Sequence, residues 1–417
     1  MAKITKIIAR EIINLWGNAT VELDVILSDG TLGRVAVPSC IFPNMYEVVE
    51  NRGINKPRYF GRRIMKYLES VNNIIAAKVV GMDSLDQAGV DRIMLELEGL
   101  HPQGNLGANT ILAVSLAVAK AAAASLNMPL YRYLGDSNTR KVPVPMLNLL
   151  SGGKNSGSNL DFREYMIVPV GHVSFAEAIR MCTKVYHVLG RLLESWGRST
   201  SSSNTGGFLT NLASNEEGLA VLIAAIKEAG YKPGKQISLA LNVSATAFFD
   251  GGEYNFSGEG FIKTPVELVE YYTSLVDEYP IVSIEGGMAR SDLEGWGLLY
   301  TQLGGKIELV DHSLFTTINP KRLEQCCNIK KGNAVPIKIN QVTTLSEIIN
   351  MSTMAKSSGY SCIISHYPIE TEDDVIADVA VGINAAQIKG GAPATTHQVA
   401  VYNRLLRIEE EIGKISK

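Results

Sequence analysis

Six polar or charged residues stand at the ends of short apolar runs in the second half of the sequence, and they are the first candidates for chemistry. The runs SLALN, IVSIE, ELVDH, VPIK, CIISH and AAQIK end at Asn242, Glu285, His312, Lys338, His366 and Lys389. Successive members are 43, 27, 26, 28 and 23 residues apart, a spacing typical of β-α units. If the runs are strands of one barrel, the six side chains meet at its carboxyl-terminal mouth and favour an anionic substrate. The simpler alternative is that each polar residue only ends its strand.

The two lysines indicate acid–base chemistry. A lysine at a buried strand end can have a lowered pKa and act as a general base on a carbon acid, although a single lysine is more often an ion-pair partner. Lys338 and Lys389 would face each other across the barrel, and their repulsion would drive one of them toward the neutral form unless an anion is bound.

Asn242, Glu285 and His312 end three consecutive runs and could enclose one metal ion. Mg²⁺ prefers hard, anionic oxygen ligands in an octahedron, and this set offers only one carboxylate. The residue types therefore indicate a weak transition-metal site or a polar cluster that holds no ion.

The elements that must position these residues alternate between strand and helix. Amphipathic segments such as TPVELVEYYTSLVDEY, SEIINMSTMAKSSG and DVIADVAVGI separate the apolar runs. This alternation suits a parallel barrel or a doubly wound sheet, and at least six units favour an eight-stranded β/α barrel of the TIM type.

The first part of the chain has a different pattern. Alternating apolar residues with Asp29-Gly30 at a turn predict three antiparallel strands, and helical periodicity begins near Arg62, with Ser84 as a candidate N-cap. This pattern predicts an α+β capping domain over residues 1–136 and a barrel domain over residues 137–417.

Composition excludes several classes of function. With 39 basic and 42 acidic residues the net charge is −3, so the chain has no basic field for nucleic acid or an anionic membrane surface. The longest apolar stretch, Ile111 to Leu126, is interrupted by Ser115 and Lys120 and predicts a buried helix. No secretory signal is visible and five scattered cysteines form no CxxC pair, so we expect a cytoplasmic protein with reduced thiols. The charged fraction of 19% mildly favours an oligomer.

Long segments of the sequence resemble enolase, the lyase that converts 2-phosphoglycerate to phosphoenolpyruvate and water. The likeness runs essentially from end to end, through TKIIAREI, GNATVELDV, LGANTILAVSLAVAKAAAASLNMPLYRYLG, KINQVTTLSE, SHYPIETEDDVIADVAVG and YNRLLRIEEEIG. It implies a capping domain on an eight-stranded barrel, assembly into dimers or larger rings, and the use of two Mg²⁺ ions.

The resemblance also implies roles for five retained residues. Lys338 matches the lysine that removes the proton at C2, Lys389 and His366 match substrate contacts, Glu164 matches a catalytic-site glutamate, and Glu285 matches the middle metal carboxylate.

Other positions of the family pattern are replaced. Thr205 in NTGGF stands where the general acid, a glutamate, belongs, and a threonine hydroxyl cannot serve as that acid. Asn242 and His312 stand where two metal carboxylates belong. Three anionic ligands are thus reduced to one, so the pattern predicts either no ion or a transition metal.

Loops around the predicted mouth differ as well. The mobile serine loop reads SCIFP, with Phe42 at a metal-ligand position, and Pro43 follows. Tyr367-Pro368 replaces an arginine and a serine, Asn155 replaces a substrate-binding histidine, and Arg163 replaces a glutamine. We interpret Ile41, Phe42 and Pro43 as an apolar knob that plugs the mouth or contacts a partner.

Together these features predict an enolase-like protein that is non-catalytic or severely impaired and keeps the fold for binding or assembly. A small anionic metabolite would bind through Lys338, Lys389, Arg163, His366 and Asn155. The chain would form a homodimer or a larger homo-oligomer, or pair with an active enolase. The alternatives are a lyase of the same superfamily with an altered substrate or metal, with His312 and Glu285 as ligands of a softer ion, and a weak true enolase.

Overall fold

The fold is described from a computed structural model of the 417-residue chain. The structure describes residues 2–38, 64–99, 106–135, 141–154, 156–311, 331–366 and 371–415. Several predicted positions lie outside these ranges. They are Ile41, Phe42, Pro43, Asn155, His312, Tyr367, Pro368 and three cysteines (Cys40, Cys326 and Cys327).

The chain begins with a three-stranded antiparallel sheet, as predicted. Its strands are β1 (Ile4–Ile13), β2 (Ala19–Leu27) and β3 (Leu32–Val37), in that order across the sheet. The β2–β3 turn contains Gly30 with φ of 85°, a left-handed conformation that glycine adopts without strain. The side chain of Asp29 accepts a hydrogen bond from the Thr31 backbone N–H at 2.9 Å and fixes the turn.

Helices cover one face of this sheet. The longest is buried along most of its length, as predicted, because apolar and small residues surround it on all sides. It is long and apolar enough to cross a membrane, but 83% of that window is buried inside the protein. Gly33 lets the sheet approach it closely, since a Cβ there would lie 2.1 Å from the carbonyl oxygen of Ala117. The helices are α1 (Ile64–Ser70), a π-helical turn (Val71–Ile75), α2 (Ala76–Val79), α3 (Gln87–Gly99), α4 (Ala108–Ser125) and α5 (Leu130–Leu134).

The rest of the chain forms a closed eight-stranded barrel, which confirms the predicted fold class. Around the barrel the order is β10-β11-β12-β13-β14-β4-β5-β6, and a small three-stranded sheet (β7 to β9) follows β6 along the chain. The barrel strands are β4 (Val144–Ser151), β5 (Glu164–Pro169), β6 (Ile237–Asn242), β10 (Ile281–Glu285), β11 (Glu308–Val310), β12 (Ala334–Lys338), β13 (Ser361–Ser365) and β14 (Gln387–Lys389). The small sheet contains β7 (Phe249–Asp250), β8 (Glu253–Phe256) and β9 (Phe261–Lys263).

One barrel strand departs from the parallel arrangement that the β-α spacing predicts. Strand β5 is antiparallel to both β4 and β6. The described connection from β4 to β5 contains no helix, and only a crossover of that kind would return the chain in a parallel direction. Glu164 is therefore the first residue of β5 and lies beside Asn242, the last residue of β6.

Amphipathic helices surround the barrel and begin at hydrogen-bonded caps. Thr264 and Thr344 each form a capping box with the glutamate three residues later. In the capping domain the predicted cap is wrong, because α3 begins at Gln87 and Ser84 lies three residues before it. The barrel helices are α6 (Phe175–Ser195), α7 (Asn215–Glu228), α8 (Pro265–Glu278), α9 (Leu293–Leu303), α10 (Leu345–Ser357), α11 (Val375–Gly382) and α12 (Thr396–Ile415).

The interior of the barrel contains an apolar layer. Met146, Met166, Ala240, Val310 and Ile363 belong to this cluster. Because side chains alternate along a strand, the residues two positions nearer the mouth also point inward. In that next layer lie Asn148, Glu164, Asn242, Glu285, Lys338, Ser365 and Lys389.

Candidate functional site

The floor of the barrel mouth is an ion-pair network around Lys389. Its Nζ donates hydrogen bonds to Oε2 of Glu285 at 2.7 Å and to Oε2 of Glu164 at 3.1 Å. Oε2 of Glu164 also accepts a hydrogen bond from Nδ2 of Asn242 at 2.7 Å. The four residues of this network are each 4% exposed or less. One buried ammonium therefore neutralises half the charge of two buried carboxylates.

The electrostatics of this network keep its members charged. Burial alone would raise the pKa of Glu164, but the charges of Lys389 and Arg163 outweigh it and lower the pKa to about 2. Burial would lower the pKa of Lys389, and the two carboxylates reverse that effect and raise it. Glu164 and Lys389 are consequently an ionised pair at neutral pH.

Lys338 lies at the same barrel mouth but takes part in neither of these ion pairs. In the described part of the chain its Nζ makes no hydrogen bond or ion pair, and its side chain is partly exposed. The strand register aligns Lys338 with Ser365 and Ser365 with Lys389, so the two lysines lie two strands apart at one level. Burial, followed by repulsion from Lys389, lowers the pKa of Lys338 to about 8. This value suits a general base or a nucleophilic amine.

Asn242 is fixed by its neighbours in an orientation that does not favour a cation. Its Nδ2 donates to Glu164, and its Oδ1 accepts a hydrogen bond from Oγ of Ser244 at 2.9 Å. Ser244 has a φ of 54°, a left-handed conformation that is uncommon outside glycine and places the hydroxyl close to Asn242.

Thr205 lies in a network of hydroxyl groups. Asn148 Nδ2 donates to Oγ of Ser151 and to Oγ1 of Thr205, both at 2.8 Å. The Oγ of Ser203 lies 2.7 Å from that of Ser151 and 3.0 Å from Oγ1 of Thr205. The turn that carries Thr205 packs closely on Asn148, since a Cβ on Gly207 would lie 2.6 Å from Nδ2 of Asn148. At the position of the family's general acid this chain therefore has a neutral hydrogen-bond network.

Two histidines lie near the same mouth. His366 Nδ1 is hydrogen-bonded to the carbonyl oxygen of Lys389, and because a carbonyl only accepts, Nδ1 carries the proton. The Nε2 atom of His366 is buried without a hydrogen-bond partner in the described residues. Burial lowers the pKa of His366, and burial is also the main reason that the pKa of His397 is lowered to about 4. Both rings are therefore neutral at physiological pH.

The remaining predicted residues are only partly placed. Arg163 is exposed next to Glu164, with no ion pair among the described residues, and its charge acts on both Glu164 and Lys338. His312 and Asn155 lie outside the described ranges, so their roles stay predictions. Cys182 and Cys362 are buried free thiols, as predicted for these two.

Sequence reasoning missed four polar residues of the site. Asn148, Ser151, Ser203 and Ser244 hold Thr205 and Asn242 in place. Asn148 has the clearest signal in the sequence, because it is the single amide in the apolar run PMLNLL. A polar side chain in a buried strand needs a hydrogen-bond partner inside the protein. His397 was missed too, although it follows Lys389 by only eight residues.

The described part of the donor set, Glu285 and Asn242, offers a single carboxylate to the Mg²⁺ ions that the resemblance implies. Glu285 is engaged by Lys389, and the side-chain oxygen of Asn242 accepts from Ser244. Among the residues that the structure describes, no group of three His, Cys, Asp or Glu side chains could hold a metal ion. Mg²⁺ prefers hard oxygen ligands with excess negative charge, and Lys389 neutralises half the carboxylate charge of this floor.

The fold and the site define a two-domain β/α-barrel protein with a lysine- and carboxylate-lined mouth. Residues 4–134 match the family model described as the enolase N-terminal domain, and residues 139–417 match the enolase C-terminal TIM barrel domain. The chain belongs to the enolase family, as its sequence motifs indicate.

Proposed function

We propose that this protein does not carry out metal-dependent dehydration of 2-phosphoglycerate and uses the enolase barrel mouth to bind a small anionic metabolite. The observation that carries the proposal is the pair of contacts from Lys389 Nζ to Glu285 and Glu164, at 2.7 and 3.1 Å. With Lys389 between the carboxylates and Lys338 in the same layer, the mouth has too little negative charge to attract divalent cations.

The energetic argument follows from the family reaction. Removal of a proton next to a carboxylate places a second negative charge on the same group, and that charge needs strong electrostatic stabilisation. A general acid typically contributes a factor of ~10²–10⁴, and Thr205 cannot replace one. Its hydroxyl is already an acceptor from Asn148 at 2.8 Å. Anion binding makes none of these demands and needs only Lys338, Arg163 and their surroundings.

The test is a coupled absorbance assay for phosphoenolpyruvate with excess Mg²⁺. We expect the wild-type protein to be indistinguishable from buffer. The triple variant Thr205→Glu, Asn242→Asp, His312→Asp restores an acid and two carboxylates, and it should rise above that baseline. The same triple variant with Lys338→Ala is the matched control and should return to the baseline. Robust Mg²⁺-dependent turnover by the wild type, lost in Lys338→Ala, would contradict the proposal.

A second candidate is a lyase with an altered substrate or a softer metal. The lowered pKa of Lys338, about 8, favours it because that is a suitable value for a general base at neutral pH. Elemental analysis of gently purified protein separates the two candidates. Stoichiometric zinc, iron or manganese would favour the altered lyase, and a metal-free protein would favour the binding function.

We also propose that the protein assembles with a second copy of itself. Ile13, Leu15 and Trp16 at the β1–β2 turn are 59%, 41% and 38% exposed, and an apolar tip of this kind is typical of a contact surface. Light scattering should give at least twice the 45.2 kDa chain mass. The variant Leu15→Ser, Trp16→Ser should shift that mass toward the monomer. A monomeric wild type would contradict self-assembly.

A further inference from the structure

The two lysines of the mouth differ in their counter-ions, and this difference gives Lys338 a chemistry of its own. Lys389 engages both Glu164 and Glu285. Lys338, at the same level of the barrel, has no ion pair among the described residues and is partly open to solvent. An amine on a rigid strand end, beside a second cation and without a carboxylate partner, is the arrangement that activates lysine as a nucleophile.

We propose that Nζ of Lys338 forms an imine with a small oxo acid, a molecule whose aldehyde or ketone carbonyl lies beside a carboxylate. This inference rests on the anion-binding function proposed above and names the class of its ligand. The cationic groups that act on Lys338 are Lys389 and Arg163. Lys389 is already paired, so the exposed Arg163 is the group that would hold the ligand carboxylate.

The reaction needs no co-reactant. The neutral amine attacks the carbonyl carbon, a C–N bond forms, and the carbonyl electron pair moves to oxygen, which gives a carbinolamine once a proton has moved from nitrogen to oxygen. The hydroxyl then takes the remaining amine proton and leaves as water while the nitrogen lone pair forms the C=N bond. The Nε2 lone pair of His366, a buried base in the same mouth, can carry the proton between the two atoms.

The pH dependence follows from all the charges around Lys338. Burial and the cations Lys389 and Arg163 favour its neutral form, and Glu285 and Glu164 oppose them. His366, whose ring also interacts with both lysines, is neutral and adds no charge. With a pKa of about 8, the reactive neutral fraction levels off above that pH. An ordinary lysine has a pKa of about 10.4, so its neutral fraction rises about tenfold per pH unit up to pH ~9.

The experiment is reductive trapping on the full-length, EDTA-treated protein. Glyoxylate, an aldehyde with an adjacent carboxylate, is added with cyanoborohydride between pH 6.5 and 9.5, and peptide mass spectrometry measures carboxymethylation at each lysine. Near pH 7 we expect Lys338 to react at least about tenfold faster than exposed lysines such as Lys235. The ratio of the two rates should fall above pH 8. Equal rates, or a ratio that does not depend on pH, would overturn the proposal.

Two controls make the result specific. Acetaldehyde lacks the carboxylate and should label Lys338 more slowly than glyoxylate. Because Arg163 also favours the neutral form of Lys338, Arg163→Ala should slow both aldehydes, and the readout is the ratio of the two rates, which should fall to about one. Equal labelling by the two aldehydes would overturn the oxo-acid class. Because the readout is a mass at one lysine, it does not depend on phosphoenolpyruvate formation. Dehydration activity together with selective labelling would refute only the proposed function, and no activity together with unselective labelling would refute only this inference.

Discussion

At the scale of single residues, the two lysines of the mouth have opposite effects on stability. Lys389 is paired at 2.7 and 3.1 Å with two buried carboxylates, so its loss leaves two charges without compensation. Lys338 carries no such pair, and its charged form is disfavoured by burial, as the lowered pKa of about 8 indicates. One substitution should therefore destabilise the fold and the other should stabilise it.

We expect Lys389→Met to lower the free energy of unfolding at pH 7 by about 3–5 kcal/mol. Lys338→Met should raise it by about 1–3 kcal/mol, because it removes a charge that is less favourable in the folded state. Chemical denaturation at pH 7 checks both signs, with the exposed Lys235→Met as a control expected to change little. If both substitutions lowered the free energy of unfolding by a similar amount, the two lysines would not differ in their pairing as we describe.

The pH dependence of the same variants has a defined sign. The unfolded state binds more protons than the folded state between the folded pKa of Lys338, about 8, and its ordinary value of 10.5. Wild-type stability should therefore gain a contribution as pH rises through that window, and Lys338→Met should lack it. At low pH, the folded pKa of Glu164 is about 2 against an ordinary 4.5, so its contribution is lost as pH falls between those values.

At the scale of elements, we expect the functional side chains to lie at the carboxyl ends of the barrel strands. This rule is correct for the strands that run parallel to their neighbours. The ends of β6, β10, β12 and β14 bring Asn242, Glu285, Lys338 and Lys389 to one mouth, as the spacing predicts. His366 follows β13 directly. This prediction works because every parallel strand of a barrel presents its carboxyl end on the same side.

The same rule cannot find Glu164. Strand β5 runs in the opposite direction, so the residue that reaches the mouth is the first of the strand and not the last. Only the family resemblance indicated it. The hydroxyl network around Thr205 could not be predicted either. Ser151 ends strand β4, whereas Ser203 and Thr205 lie in the connection between α6 and α7, and their contact is set by tertiary packing and not by local pattern.

At the scale of the whole molecule, the capping domain is attached to the barrel by buried polar contacts. Asp91 of α3 accepts hydrogen bonds from the backbone N–H and the hydroxyl of Ser346, at 3.0 and 2.6 Å. Oγ of Ser115 in α4 accepts a hydrogen bond from the Leu345 backbone N–H at 2.9 Å. Both contacts meet the first turn of α10, so the capping domain and one barrel helix are held in a fixed relation.

A further attachment depends on the carboxylate of Asp373, and it gives the last prediction. Asp373 accepts hydrogen bonds from the backbone N–H of Ala36 at 2.9 Å and of Val375 at 2.8 Å, and its Oδ2 lies 3.8 Å from Nζ of Lys120. It therefore joins the end of β3, helix α4 and the start of α11. Burial raises its pKa, and these partners oppose that shift.

We expect Asp373→Ala to lower the free energy of unfolding by about 2–4 kcal/mol, because it leaves two backbone donors at the domain boundary without an acceptor. Hydrogen exchange should accelerate at Ala36 and Val375 first, and the capping domain should exchange at lower denaturant than the barrel strands. Glu372→Ala, at an exposed neighbouring position, is the matched control and should change stability by no more than about 0.5 kcal/mol. If both variants unfold like the wild type in one transition, the carboxylate does not couple the domains, and other contacts, such as those of Asp91 and Ser115 with α10 and of Asp378 with Tyr131, must do so.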